Sequence, residues 1–533
     1  MTNPDIPAGN SFRAFAFIVF LTSLLLGGCS TLKDKYIDQR EPSHALPRET
    51  PTRLGQLAYT PPEDLPDASG FILLDSGMDA LSSRLWLAGQ AEKTLDVQYY
   101  IFHGDRTGAV VADALLQAAN RGVRVRVLLD DIYVHEHETG ILALDSQPNM
   151  EVRVFNAFRH RGKNPLIRLS QFFVDGDRLN RRMHNKLFIA DNQFGITGGR
   201  NIGDEYFQAH EEFGFVDLDV LTSGPVVAEM SRAFDDFWNS QAVVPVRAIP
   251  GYNKARQQLP MLGEALSNAR KSMEATPYWK ELQARPLSAQ MQSGEFHWLD
   301  GVAHTVFDPP DKIDGDSHIS DLLLGQLIGL RVDPEEELLI VSPYFVPGKI
   351  GMDWFAYLRA RNVKVKVLTN SLAANDVPLV HAGYARYREP LLEMGVELFE
   401  LKPLPNTSPK KKNLAGSGSS RSSLHAKTFV FDRKRAFIGS FNFDPRSALL
   451  NTELGLVIDS PIIAQIVALM SEQGMAPLNS HRLSLQGKDD ERKIVWTSET
   501  NQGPVGTDGE PNATRWQRFM MEMLMLLPIE ENL

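Results

Sequence analysis

Cysteine is nearly absent from this chain: Cys29 is the only one among 533 residues. That excludes an intrachain disulfide and any multi-cysteine zinc site. Long apolar length is missing at the N-terminus, where the run from Ala14 to Leu26 has thirteen residues against the roughly 20 of a membrane-crossing helix. An excess of positive charge is missing as well. The net charge of −11 sets a field that opposes a general nucleic-acid binder, although a local basic groove remains compatible with it. With 43% hydrophobic and 23% charged residues, the chain is neither disordered nor fibrous. Its length suits two to four domains, each with its own core.

The lone cysteine sits in a telling place. Arg13 precedes the short apolar run, and Leu26-Gly27-Gly28-Cys29 closes it. This pattern fits a signal peptide and resembles the bacterial lipoprotein signal. The resemblance implies that residues 1–28 are removed and that Cys29 is lipidated, which leaves no thiol for catalysis. It also implies a bacterial envelope location, and Ser30 after the cysteine points to the periplasmic side of the outer membrane rather than to the inner membrane. Residues 29–70 carry Pro42, Pro47, Pro51, Pro61, Pro62 and Pro66 with little periodicity, which reads as a tether.

Two stretches repeat each other. Met183-His184-Asn185-Lys186 leads to Asp191, and Leu424-His425-Ala426-Lys427 leads to Asp432. Each reads His, one residue, Lys, four residues, Asp. Seven residues after each Asp begins Gly198-Gly199-Arg200-Asn201 or Gly439-Ser440-Phe441-Asn442, and eleven residues after each Asn stands a Glu, Glu212 or Glu453. The copies lie 241 residues apart, so the chain contains a duplicated domain rather than a short-period solenoid.

Around the first copy, a strand at Thr94 to Phe102, a helix at Gly108 to Asn120 and a strand at Val123 to Asp130 form a βαβ unit, which predicts a mostly parallel, buried sheet. Leu338 to Phe345 and Val363 to Leu368 repeat the two strands. The expected organisation is a first domain over 71–240, an insertion or linker over 241–317 without a repeat counterpart, a second domain over 318–475, and a tail over 476–533. Trp516 to Leu527 reads as a terminal helix, either packed or in contact with a membrane. The Gly/Ser-rich segment from Lys410 to Ser423 reads as a mobile loop. The basic clusters Arg159, Arg161, Lys163, Arg168 and Lys410-Lys411-Lys412 are either headgroup-steering patches or solvated faces. His135 and His137 read as surface residues.

The repeated residues suit attack on a phosphodiester. Such a site needs a nucleophile, an acid for the leaving alkoxide and cations on the phosphoryl oxygens. His184 and His425 titrate near neutrality and supply the first two roles. Lys186, Lys427, Asn201 and Asn442 can hold the oxygens, while Glu212 and Glu453 can orient the histidine rings. No metal or other cofactor is required. Asp191 and Asp432, at a turn, are either part of this machinery or structural.

The two motifs resemble those of the phospholipase D superfamily over residues 70–475. The resemblance implies two tandem α/β/α sandwich domains with mixed, mostly parallel sheets, packed about a pseudo-two-fold axis on one active site. It implies His184 as the phosphohistidine nucleophile and His425 as acid and base, with Asp191 and Asp432 counted among the catalytic residues. Gly199 departs from the serine matched by Ser440. Gly198 to Tyr206, Ser440 to Ser447, Phe307 to Lys312 and Leu526 to Glu530 are further similar to C-type cardiolipin synthases. That subfamily implies phosphatidylglycerol and another phospholipid as substrates, a membrane surface and an accessory protein as partners, and no nucleic acid. Hydrolysis to phosphatidic acid, a nuclease activity and a non-enzymatic envelope lipoprotein remain the alternatives.

Overall fold

The computed structural model describes residues 40–161, 175–210, 213–315, 317–405, 421–487, 492–500 and 503–526, with Leu32, Lys33, Ile37 and Gln171. The signal region with Cys29, Glu212, the Lys410-Lys411-Lys412 run and the chain end beyond Leu526 lie outside the described residues.

The first half contains β1 (Ala68–Leu74), β2 (Thr94–Tyr99), β3 (Arg124–Asp130), β4 (Met150–Phe155), β5 (Leu187–Ala190), β6 (Phe194–Gly198), β7 (Phe213–Val216), β8 (Asp219–Ser223) and β9 (Val243–Pro245). The second contains β10 (Leu299–Phe307), β11 (Glu337–Val341), β12 (Lys364–Asn370), β13 (Glu397–Leu401), β14 (Leu404–Pro405), β15 (Arg421–Leu424), β16 (Thr428–Phe431), β17 (Arg435–Gly439) and β18 (Leu454–Asp459). A tail adds β19 (Ser480–Gln486), β20 (Lys493–Thr500) and β21 (Gly503–Thr507). The helices used below are α1 (Arg53–Leu57), α2 (Gly77–Gln90), α3 (Arg106–Asn120), α4 (Glu138–Leu144), α5 (Val226–Trp238), α6 (Leu259–Glu274), α7 (Gly348–Ala360), α8 (Pro461–Met475) and α9 (Arg515–Met525).

Pairing runs through one continuous 18-stranded sheet. In the first half β2, β3 and β4 are parallel, as the βαβ pattern requires, and β5, β6, β8 and β1 continue antiparallel from β2. The second half repeats this with β11, β12 and β13 parallel and β16, β17, β18 and β10 antiparallel. β1 and β10 meet antiparallel at the centre, with Ala68 opposite Val302 and Phe71 opposite Leu299. Two equivalent edge strands side by side place a pseudo-two-fold axis there. Apolar side chains from both halves, including Phe71, Ile189, Val220, Leu339, Ile438, Leu456 and the inner faces of α5 and α8, share one buried cluster. The halves are therefore joined by a common core, and burial of this kind contributes about 25 cal/mol per Å².

Three expectations are corrected. Residues 241–317 are not wholly outside the repeat, because β10 pairs with β18 as β1 pairs with β8. Its match to β1 is in position and not in residues, so no spacing announces it. The segment from residue 40 to 67 is not slack. Arg40 donates to the Ser240 and Val243 carbonyls, Arg153 to Glu41, Arg126 to Ser43 and Arg124 to His44, while Asn192 and Gln193 donate to Leu46 and Arg48. A segment held through its backbone carbonyls needs no side-chain periodicity, which is why its sequence resembles a linker.

The third correction concerns Asp191 and Asp432, counted above with the catalytic residues. Asp191 accepts backbone N–H groups of Glu92 (3.0 Å), Lys93 (2.8 Å) and Thr94 (2.8 Å). Asp432 accepts those of Glu335 (2.9 Å), Glu336 (2.7 Å) and Glu337 (2.8 Å). Both sit in hairpin turns with positive φ at two successive residues, Asp191 and Asn192 or Asp432 and Arg433. Asp tolerates that backbone and its carboxylate satisfies the entry to β2 or β11. The third motif residue is thus a structural clamp at the end of the motif hairpin away from the histidine.

Candidate active site

Each histidine belongs to one half and is held by the other. The His184 N–H donates to the Thr452 carbonyl at 2.9 Å, and the next residue, Glu453, takes the His184 Nδ1 at 2.9 Å. The His425 N–H donates to the Val216 carbonyl at 2.8 Å, and the next residue, Asp217, takes the His425 Nδ1 at 2.6 Å. Parallel pairing of β7 with β15 brings Val216 beside Leu424. A bridge between Met183 and Thr452 does the same for the other histidine.

Glu453 fills the orienting role expected of it. Glu212, selected by the same eleven-residue spacing, lies outside the described residues, and the partner of His425 is Asp217, which the sequence reading missed. The strand register supplies the signal. Gly198 pairs with Asp219 and Gly439 with Gly455. Two residues before each stand Asp217 and Glu453, so these are the equivalent positions despite loops of different length.

The departure at Gly199 follows from this exchange. A Cβ built on Gly199 meets Asp217 Oδ1 at 2.1 Å, so no serine fits beside the shorter carboxylate. In the other half the Ser440 hydroxyl donates to Glu453, the Ser447 hydroxyl donates to it at 2.8 Å, and Ser440 also accepts the Leu454 N–H at 3.0 Å. Asp217 instead accepts the Leu218 N–H at 2.8 Å. Behind Glu453, its N–H donates to Asp308 at 2.9 Å, and Lys312 reaches both Asp308 (2.8 Å) and the Ser447 carbonyl (3.0 Å). Asp308 and Lys312 thereby brace the site from the segment Phe307 to Lys312.

The lysines lie beside the histidines, each pair in the segment that leads into β5 or β16. Lys186 Nζ donates to the His184 carbonyl and lies 5.8 Å from the Tyr100 ring centroid. Lys427 Nζ donates to the His425 carbonyl and lies 3.1 Å from its Nδ1. Tyr100 packs edge-on to His184 at 5.1 Å, while Tyr206 and Phe215 pack on His425 at 5.3 and 4.8 Å. Asn201 accepts the Ile101 N–H at 3.2 Å and donates to the Tyr206 hydroxyl at 3.0 Å. Asn442 is buried, and its Oδ1 has no hydrogen-bond partner among the described residues.

Burial dominates the electrostatics. His184 and His425 are 8% and 6% exposed, and desolvation lowers their pKa values to about 4 and about 3 despite the adjacent carboxylates. Desolvation also lowers Lys186 to about 7 and Lys427 to about 8. Burial would raise Asp217, but His425, Lys427 and Arg200 hold it at about 2. Glu453 is likewise lowered: burial would raise it, but His184, Lys186 and Ser440 together outweigh that. The site therefore carries neutral imidazoles beside ionised carboxylates. Each carboxylate selects the tautomer with a proton on Nδ1 and a lone pair on Nε2.

The family described as "Cardiolipin synthase, PLD-like domain" matches residues 87–238 and 333–473. The chain is 40% identical over 472 residues to cardiolipin synthase C of Escherichia coli (strain K12), covering 87% of this chain and 96% of that one. It is 32% identical over 515 residues to an uncharacterised protein of Helicobacter pylori (strain ATCC 700392 / 26695), covering 97% of this chain and 99% of that one. In fold it resembles the crystal structure of phosphatidylserine synthase from Haemophilus influenzae Rd KW20, with a TM-score of 0.50 and 15% identity over 78% of this chain and 87% of that one. With both halves matched and a relative covered almost end to end, the chain belongs to the phospholipase D-like cardiolipin synthase family.

Proposed function

We propose that this enzyme transfers a phosphatidyl group between phospholipids to make cardiolipin, through a phosphohistidine on His184. The observation that carries the reading is the crossed arrangement of two imidazoles, each oriented by a carboxylate of the opposite half. His184 Nε2 attacks the phosphorus of the donor lipid while the bond from phosphorus to the departing alcohol oxygen breaks. His425 gives that oxygen a proton. In the second step His425 takes a proton from the glycerol hydroxyl of phosphatidylglycerol, whose oxygen bonds to phosphorus as the phosphorus–nitrogen bond breaks.

The shifted pKa values fit these roles. A neutral, buried His184 is a ready nucleophile. The arriving phosphodiester anion adds negative charge beside both rings and both lysines, which raises their proton affinity and supports a protonated His425 in the complex. Lys186, Lys427, Asn201 and Asn442 hold the non-bridging oxygens. Asp217 and Glu453 stabilise imidazolium charge as it forms.

The membrane surface and the envelope location belong to the same proposal. A lipid on Cys29 would hold the site at the bilayer that contains its substrates, and an accessory protein is a further expected partner. Lipid extracts from cells producing wild type, His184→Ala or His425→Ala, analysed by mass spectrometry, test the reaction. Cardiolipin rising only with wild type supports transfer, whereas phosphatidic acid rising in its place establishes hydrolysis. Cardiolipin unchanged across all three refutes the synthase reading. Absence of lipid label at the mature N-terminus, compared with Cys29→Ser, refutes the anchor.

A further inference from the structure

The two histidine–lysine pairs follow a pseudo-two-fold, yet the two lipids have different fates, so the surroundings of each pair must distinguish the sides. The helices after the equivalent strands β2 and β11 differ in that respect. α7, after β11, leaves Ile350 77% and Tyr357 52% exposed. α3, after β2, is covered by α6 from the insertion, with Leu266 packed against Ala112 and Leu116.

Between α3, α4 and α6 lies a cavity of about 530 Å³, within the ~300–1,000 Å³ of sites that bury small molecules. Ala112, Leu144, Leu262 and Leu266 form an apolar wall, and His103, His135, His137, Glu138 and Arg161 form a polar one. Ala112 and Leu266 are buried in the apolar wall, Arg161 is buried in the polar one, and His137 stands exposed at the opening. A run of aromatic rings stands between the cavity and the reaction centre. Tyr100 lies 5.1 Å from His184, Tyr133 lies 5.6 Å from Tyr100, and His103 lies 6.0 Å from Tyr133.

We propose that this cavity seats an acyl chain of the phospholipid that docks on the His184 side. The inference rests on the phosphatidyl-transfer reading. A hydrocarbon chain suits the apolar wall of Ala112, Leu144, Leu262 and Leu266, because each methylene withdrawn from water favours binding about fourfold. The insertion, through Leu262 and Leu266, thus gives the His184 side a selectivity for long-chain lipid.

Gly140 gives access to a test. It lines the cavity, and a Cβ placed there meets only Leu262 Cδ1, at 4.0 Å. Gly140→Phe on α4 and Ala112→Leu on α3 fill the space from two walls. Purified full-length protein is assayed with dioleoyl- and dihexanoyl-phosphatidylglycerol. The expected result is a tenfold or larger fall in the ratio of kcat/KM for the long-chain over the short-chain lipid in both variants. A ratio equal to wild type in variants that keep the wild-type Tm overturns the proposal, and so does equal loss on both lipids. No transfer by wild type on either lipid refutes the underlying reading instead.

Discussion

Asp217→Asn removes one charge at nearly constant volume, and the structure dictates how the amide must sit. Asp217 Oδ1 accepts the Leu218 N–H at 2.8 Å, while Oδ2 faces the His425 Nδ1 at 2.6 Å. Asparagine keeps its oxygen on the Leu218 N–H, so its NH2 group turns to His425. A donor there forces Nδ1 to become the acceptor and moves the proton to Nε2, the atom that must take and give protons. The variant also loses the negative charge that stabilises the imidazolium. In a buried triad of this kind the combined effect is about 10³- to 10⁴-fold in kcat, or roughly 4–5.5 kcal/mol of barrier. Loss of Asp217 also withdraws the strongest opposing charge from Lys427, already lowered to about 8, so KM for the anionic lipid rises more steeply above pH 7. The assay is single-turnover and steady-state transfer by purified protein in mixed micelles, with Tm recorded alongside. A kcat within about fivefold of wild type at unchanged Tm would refute the assignment of Asp217 as the positioning residue.

Gly199→Ser places a side chain 2.1 Å from Asp217 Oδ1, so kcat should fall at least tenfold although residue 199 is not a reacting group. Gly199→Ser combined with Asp217→Ala should then show no additional loss over Asp217→Ala alone. Asp191→Ala leaves three N–H groups without their acceptor and should cost about 3–5 kcal/mol of stability in denaturant titration. The folded fraction should keep kcat within a few-fold, whereas a thousandfold loss would return Asp191 to the catalytic set. His184 and His425 are neutral when folded, with pKa values of about 4 and about 3 against 6.5. Below 6.5 the unfolded chain binds more protons, so stability is full above that value and declines as pH falls toward 4. Tm measured from pH 7 to pH 4 should drop, and less so in His184→Ala.

The chemistry-bearing residues were legible because the repeat is local. A histidine and a lysine two residues apart stay close to each other wherever the strand they lead into lies. The β2–α3–β3 unit and its repeat were legible for the same reason, since apolar periodicity is a property of short windows. The Asp at the end of each motif shows the limit: its spacing marked it as important, but only the hydrogen bonds to Glu92, Lys93 and Thr94 assign it to the turn rather than to the reaction.

What the linear chain determined, then, was the inventory: two motif histidines, two motif lysines, a duplicated α/β scaffold and a lone cysteine. Tertiary structure decided the pairing. His184 meets Glu453 across 269 residues and His425 meets Asp217 across 208, separations over which no periodicity operates. Loop length misaligned Glu212 with Glu453, and only the register of β6 on β8 and β17 on β18 made Asp217 their true counterpart. The fit of Asp217 over Gly199, and the cover that α6 lays on α3, are likewise matters of volume between distant segments. Close packing sets them, and packing exists only once the two halves have closed on each other.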